Sequence, residues 1–182
     1  MADVTQRLII GISGASGVIY GIRALQLLRD TDVETHLVMS KSAEMTMGYE
    51  VEMKPSTVRE LADVTHAIGD VGASISSGSF KTIGMLVLPC SVRTMSEIST
   101  GVTSSLMSRA ADVVLKERRQ LVLGVRETPL HTGHLRTMTE LSEGVLWSPP
   151  LCRDFMRGRR QSMTSSTIPS GVFWICLIWT LA

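Results

Sequence analysis

A net charge of any size is missing from this sequence: 18 lysines and arginines stand against 17 aspartates and glutamates, a formal balance of +1. A dedicated nucleic-acid or membrane-surface protein carries a marked basic excess, so no nucleic-acid and no membrane partner is expected. A small uncharged ligand, or a phosphate held locally, fits better. Cysteine is scarce, three in 182 residues with no paired spacing, which points to a reducing cytosol and a cytoplasmic location. The start, MADVTQRLIIGISG, has no basic n-region ahead of a long apolar run, so no secretory signal is expected. The apolar run GVFWICLIWTLA is only a dozen residues, whereas a bilayer span takes about 20. His131 and His134 are three apart, but no further ligand pair has metal spacing, and no metal is expected. The chain also lacks G-x-G-x-x-G and any internal repeat, which leaves a dinucleotide fingerprint unsupported.

What is present describes one soluble domain with a real core: 44% of residues are hydrophobic and 19% charged. Composition shifts near residue 144. All three tryptophans (Trp147, Trp174, Trp179) and two of the three cysteines lie beyond Glu143, where Asp154 is the only acid and lysine is absent. Before that break, short β-like runs alternate with amphipathic stretches, the pattern of an α/β fold with a parallel sheet. RLIIGI (7–12), VETHLVM (33–39), MLVLPC (85–90) and LVLGV (121–125) predict strands. VIYGIRALQLLRD, SSLMSRAADVVLKERR (104–119) and HTGHLRTMTELSE (131–143) predict helices, the first with Ile19, Ile22, Leu25 and Leu28 on one face. STVRELAD reads as a short helix and ASISSGSF as an exposed loop.

Ligands of such sheets bind at the carboxyl ends of the strands, so the residues there carry the functional reading. After the first strand comes GISGASG, whose glycines allow a tight turn and whose Ser13 and Ser16 hydroxyls stand beside a helix start. This chemistry suits a phosphate or ribityl cradle, and equally a plain strand-to-helix turn with a serine cap. Ser40 follows the second strand and reads first as an N-cap. After the third, Cys90 reads as packing, while Ser91, Arg93 and Thr94 open another helix. Arg126 and Glu127 follow the fourth. Four such edges converging say more than any one.

Taken together, GISGASGVIYG, THLVMSKSAE, ISSGSF, LPCSVRT and RAADVVLKERRQLVLGVRETPLHTGHL resemble the UbiX-type flavin prenyltransferases, long labelled phenylacrylic acid decarboxylases. The resemblance runs in order over almost all of residues 7–143 and implies a three-layer, flavodoxin-like Rossmann sandwich, a single domain that assembles as a homo-dodecamer. It implies transfer of a dimethylallyl group from dimethylallyl phosphate to reduced FMN, at N5 and then C6, without metal. The product, prenylated FMN, would serve a UbiD-type decarboxylase. Carried over by residue, it puts Gly14, Ala15, Ser16, Ser40, Ser91, Val92, Arg93, Thr94 and Arg126 on FMN. Lys116, Arg126 and Glu127 would surround the dimethylallyl phosphate, and Glu50 would supply an acid near the reacting end. The related fold of FMN-dependent cysteine decarboxylases offers a rival activity, and a non-catalytic FMN carrier another.

The resemblance divides the chain into an FMN-binding domain, 1–143, and a tail, 144–182, that departs from the family. There the family continues with a segment like GAVV-PPVPGFYARPQ and a helix ending near GRVLDLF. Back-translated and read one nucleotide earlier, residues 144–182 permit GFYARPQTVDDIVNHSVGRVLDLFDMDTG. The expectation is therefore a shifted frame, in which Met156 stands where the family has a phosphate-binding tyrosine and Val172 where it has an arginine.

Overall fold

The computed structural model describes residues 6–142 and, in backbone only, 146–147. Its elements in chain order are β1 (Gln6–Ile12), α1 (Val18–Leu28), β2 (Val33–Met39), α2 (Lys41–Glu50), α3 (Pro55–Arg59), β3 (Val64–His66), a 3₁₀ turn (Ser74–Ser76), β4 (Gly84–Cys90), α4 (Val92–Thr100), α5 (Leu106–Lys116), β5 (Gln120–Val125), α6 (Thr132–Leu141) and β6 (Leu146–Trp147). The strands form one sheet in the order β3-β2-β1-β4-β5-β6, and every pair is parallel. Leaving aside the three-residue β3, the order is that of a flavodoxin-like sheet, as expected, with β3 added on one edge. From β1 the chain winds outward through β2 and β3, then crosses back to β4 and continues the other way. The switch point therefore lies between the carboxyl ends of β1 and β4.

Strands covered on both faces read as unbroken apolar runs, and β4 is buried at all seven of its residues. On one face Leu8, Ile10, Ile12, Leu37 and Met39 pack with Ile22, Leu25 and Leu28 of α1, Met47 of α2 and Val58 of α3. On the other, Ile9, Val38, Met85 and Val87 pack with Met95 of α4 and Met107, Ala110 and Val114 of α5. Helix, sheet and helix make the three expected layers.

Several boundaries differ from expectation for local reasons. The helix expected over 104–119 is shorter because Ser105 caps it, its hydroxyl accepting the Ser108 N–H at 3.3 Å, and because Arg118 takes a left-handed turn at φ 54°. The short helix expected from STVRELAD stops at Arg59. The segment 74–80 is not a loose surface loop: Ile75 is 1% exposed, and the Arg119 guanidinium donates to the carbonyls of Gly78 at 2.8 Å and Phe80 at 2.6 Å. Within VVLKERR, then, Arg118 ends a helix and Arg119 ties down a distant loop. β6 pairs with β5 beyond residue 143, the break read from composition.

Gly21 sets the distance between α1 and the sheet. A Cβ there would lie 2.3 Å from the Leu88 carbonyl oxygen and 2.7 Å from Ile12 Cγ1. Gly21→Ala is expected to destabilise the fold by about 1–3 kcal/mol through overpacking, read as a lower denaturant midpoint. An unchanged midpoint would show that α1 can move away from the sheet at little cost.

Candidate functional site

The β1–α1 turn is held at its base by Ser13, which is fully buried. Its hydroxyl donates to the Pro89 carbonyl at 2.9 Å and accepts the Ser91 N–H at 2.7 Å, while its own N–H also reaches Pro89 O at 3.2 Å. One side chain thus joins the ends of β1 and β4 across the switch point. Of the two readings open for this turn, Ser13 takes the structural one, because its hydroxyl is consumed by backbone on both sides. Ser16 is different: it is half-buried, and its hydroxyl meets no acceptor among the described residues.

Two glycines make this turn possible. A Cβ on Gly14 would lie 2.2 Å from Ser42 Cβ, so the first turn of α2 packs directly on the loop. Gly17 has φ 101°, a conformation that L side chains rarely adopt. As the N-cap of α1, Gly17 has no side chain with which to satisfy the first helical N–H groups. Glu50, the last residue of α2, does so instead: its Oε2 accepts from Gly17 N–H at 2.8 Å and Val18 N–H at 3.2 Å. The positive end of α1 is therefore occupied by a carboxylate of the same chain.

The other strand ends converge as expected. Ser40 caps α2, its hydroxyl oxygen accepting the Ala43 N–H at 3.0 Å, and its own hydrogen meets no acceptor among the described residues. Ser91 caps α4, accepting the Thr94 N–H at 3.2 Å and donating to Thr94 Oγ at 3.1 Å, which leaves the Thr94 hydrogen to spare. Val92 is half-buried beside it. Arg126 follows β5, with its N–H on the Cys90 carbonyl at 3.1 Å, and its guanidinium forms no ion pair among the described residues. Glu127 accepts its neighbour's Thr128 N–H at 3.0 Å. The set is thus Ser16, Ser40, Thr94 and Arg126: three spare hydroxyl donors and one guanidinium around the switch point. It fits a ligand rich in oxyanions.

Two expected site residues, Arg93 and Lys116, stand apart, and Cys90 packs as expected. Arg93 turns outward, 81% exposed at its side chain, and pairs with Glu97 at 2.9 Å on the surface of α4. Cys90 is buried, and burial pushes its thiol up far beyond the ordinary cysteine range, so it packs rather than reacts. Lys116 ends α5 next to the start of β5, at the amino edge of the sheet. Arg126 and Glu127 lie at the carboxyl edge, six strand residues or roughly 20 Å away. The chain therefore does not bring Lys116 to Arg126 and Glu127. His131 uses Nδ1 to accept the Gly133 N–H at 3.0 Å, and no metal-binding group of three or more side chains occurs among the described residues. No helix among them is long and apolar enough to cross a membrane. Met156 and Val172 lie outside the described residues.

The Flavoprotein family model matches residues 2–164. Over 148 residues the chain is 61% identical to the flavin prenyltransferase UbiX of Escherichia coli strain K12, covering 80% of this chain and 78% of that protein. Among solved structures it is similar to AnUbiX in complex with FMN and dimethylallyl pyrophosphate, with TM-score 0.79 and 51% identity, over 80% of this chain and 78% of the other. It is equally similar to a dodecameric FMN-dependent UbiX-like decarboxylase from Escherichia coli O157:H7, with TM-score 0.79, 50% identity and 80% coverage of both chains. The FMN-dependent cysteine decarboxylase SpaF, at 15% identity and TM-score 0.63, shares the fold alone.

Ser13→Ala removes one donor and one acceptor from a buried junction, leaving the Ser91 N–H unsatisfied and Pro89 O with the Ser13 N–H alone. It is expected to cost about 1–3 kcal/mol of stability, lowering the thermal midpoint. Ser16→Ala, at a hydroxyl with no partner among the described residues, should leave that midpoint within error. Equal losses in the two variants would contradict this division of roles.

Proposed function

This chain belongs to the flavin prenyltransferase family of flavoproteins, and we propose that it transfers a dimethylallyl group from dimethylallyl phosphate to reduced FMN. The group is joined first at N5 and then at C6, and the prenylated FMN serves a UbiD-type decarboxylase. The observation that carries the reading is the set of spare donors at the switch point: the hydroxyls of Ser16, Ser40 and Thr94 and the guanidinium of Arg126. With Gly14, Ala15, Ser91 and Val92 they line the place where the FMN of a relative would sit. Arg93 contributes its backbone at the start of α4 rather than its outward-facing guanidinium. Reduced FMN, when bound, supplies the nucleophilic ring positions.

The rest of the chemistry falls to charged groups. Breaking the allylic C–O bond leaves a phosphate and an allylic cation, so negative charge grows on the leaving oxygen. Arg126 stabilises that charge from within the chain, and Glu127 manages a proton at the phosphate. Glu50 serves first by holding the glycine loop through the α1 N-terminus, and its remaining oxygen is the acid near the reacting end. Lys116 lies at the far edge of its own sheet, so it reaches a phosphate only in the site of a neighbouring copy. The dodecameric state of a relative at 50% identity supports this arrangement.

Anaerobic incubation of the protein with reduced FMN and dimethylallyl phosphate should give a flavin heavier by one dimethylallyl unit, with an altered spectrum. Recovery of unmodified FMN would refute the activity. Lys116→Ala and Arg126→Ala are each expected to lower the transfer rate by about 10²–10³. Oligomers refolded from a mixture of the two should regain part of the activity, because some sites then receive Lys116 from one copy and Arg126 from another. No recovery would defeat the shared site.

The tail belongs to the same reading. In the earlier frame, residues 156 and 172 become the tyrosine and arginine that close over the phosphate. Intact mass and a tryptic map of active protein from its native gene should then match the restored sequence rather than RDFMRGRRQSMTSSTIPSG. A fully active protein whose peptides match the written tail would end this proposal.

A further inference from the structure

A row of charged and polar side chains crosses the sheet away from the switch point, on the face that carries α5. His36 on β2 is 3% exposed. Its Nε2 lies 2.7 Å from Glu34 Oε1, and its Nδ1 lies 2.9 Å from His66 Nε2 on β3. Arg7 Nε on β1 donates to both Glu34 oxygens at 3.3 Å. The hydrogens in this row are set by elementary bonding. A carboxylate only accepts, so His36 Nε2 carries a hydrogen; in the neutral ring Nδ1 is then bare, and His66 Nε2 must donate to it. Glu34 thereby sets the tautomers of two histidines in turn.

The row ties down an edge. β3 has three residues and a single neighbour among the described strands, so few ladder bonds hold it. Two side-chain ties add to them. At its start Asp63 accepts from the Thr35 N–H at 2.7 Å and hydroxyl at 2.8 Å; at its end His66 meets His36. Phe80 closes the row, its ring edge-on to His36 with centroids 4.8 Å apart and Arg7 5.2 Å from its centre. Between β3 and Phe80 the chain passes Ile68, whose carbonyl accepts the Leu106 N–H at the start of α5, and the buried Ile75.

We propose that the His36–His66 pair is a proton-counting latch, which holds β3 and residues 67–80 on the sheet while one hydrogen lies between the rings and releases them when both rings are protonated. A first proton enters at His66 Nδ1 and leaves the bond intact. A second would set two N–H groups head to head across the 2.9 Å gap. The surrounding charges fit this order. Burial, and then His36, pushes the His66 pKa below the ordinary histidine value, with Asp70 opposing. A histidine lowered in the folded state contributes stability that is fully present above its unfolded value of 6.5 and is lost as the pH falls below it. Glu34, through its bond from His36, and Asp63, through its bonds from Thr35, are held below their ordinary values and so remain ionised in this range.

Hydrogen–deuterium exchange of the assembled protein between pH 8 and pH 4.5, corrected for intrinsic rates, tests the latch. Peptides covering 64–80 should gain exchange about tenfold on the acid side, while those of β1 and β4 stay protected. H66Q, whose amide can donate to His36 Nδ1 but takes up no proton, should show no such gain. Exchange at the imidazole C2 position in the unmodified protein gives a second readout that does not depend on how the variant folds. The His66 midpoint should lie below that of the same residue in the unfolded chain. An equal gain in H66Q, a gain shared by β1 and β4, or a His66 midpoint at or above the unfolded value would each overturn the latch.

Discussion

Everything at the candidate site depends on one buried hydroxyl. Ser13 stands where the sheet reverses its winding, and there the ends of β1 and β4 have no crossover of their own to fix their spacing. By donating to Pro89 O and accepting from Ser91 N–H, it sets the two strand ends and the start of α4 as one unit. The hydroxyl does this well because both partners are backbone and neither can leave. The Gly14–Gly17 loop rises from one side of this junction and the Ser91 cap from the other. A ligand lying across the switch point would therefore meet donors whose separation is set before it arrives, which is what makes such donors effective.

The second constraint is electrostatic. A helix N-terminus following a glycine turn is the usual seat for a phosphate, and α1 has both features. Here the carboxylate of Glu50 already occupies that seat. A phosphate on the same N–H groups would face an anion of the protein, so the free donors at α2, α4 and β5 are the better place for it. Glu50 thereby does two things with one side chain. It satisfies α1 and, under the proposed function, would bias a phosphorylated ligand toward Ser40, Thr94 and Arg126.

The sequence was most legible where strands are long and covered on both sides. MLVLPC and LVLGV are unbroken apolar runs because helices cover both faces, RLIIGI is apolar after Arg7 and VETHLVM after His36, and each lies within one residue of the observed strand. β3 and β6 escaped because two or three residues carry no periodicity. The segment 74–80 looked like surface since serines and glycines dominate it; Arg119, 39 residues from Phe80, is what pins it. Ser13 stayed undecided for a related reason. A serine in a glycine turn has the same letter whether its hydroxyl faces a ligand or the carbonyl of a residue 76 positions away. Motif spacing recorded which groups were available, whereas their assignment needed long-range pairing.

Lys116 meets the same limit, and the winding of the sheet is the reason. KERR and RETP stand close together in sequence, which invites a common site. In a parallel sheet, however, a residue that ends a crossover helix and one that comes after the next strand lie on opposite edges, separated by the length of that strand. Topology alone forbids Lys116 and Arg126 from meeting within one chain, whatever their side chains prefer. A protein that needs both cations on one phosphate must set the amino edge of one sheet against the carboxyl edge of another. In the proposed reaction the assembly is then part of the catalytic apparatus, because the fold separates what that chemistry would join.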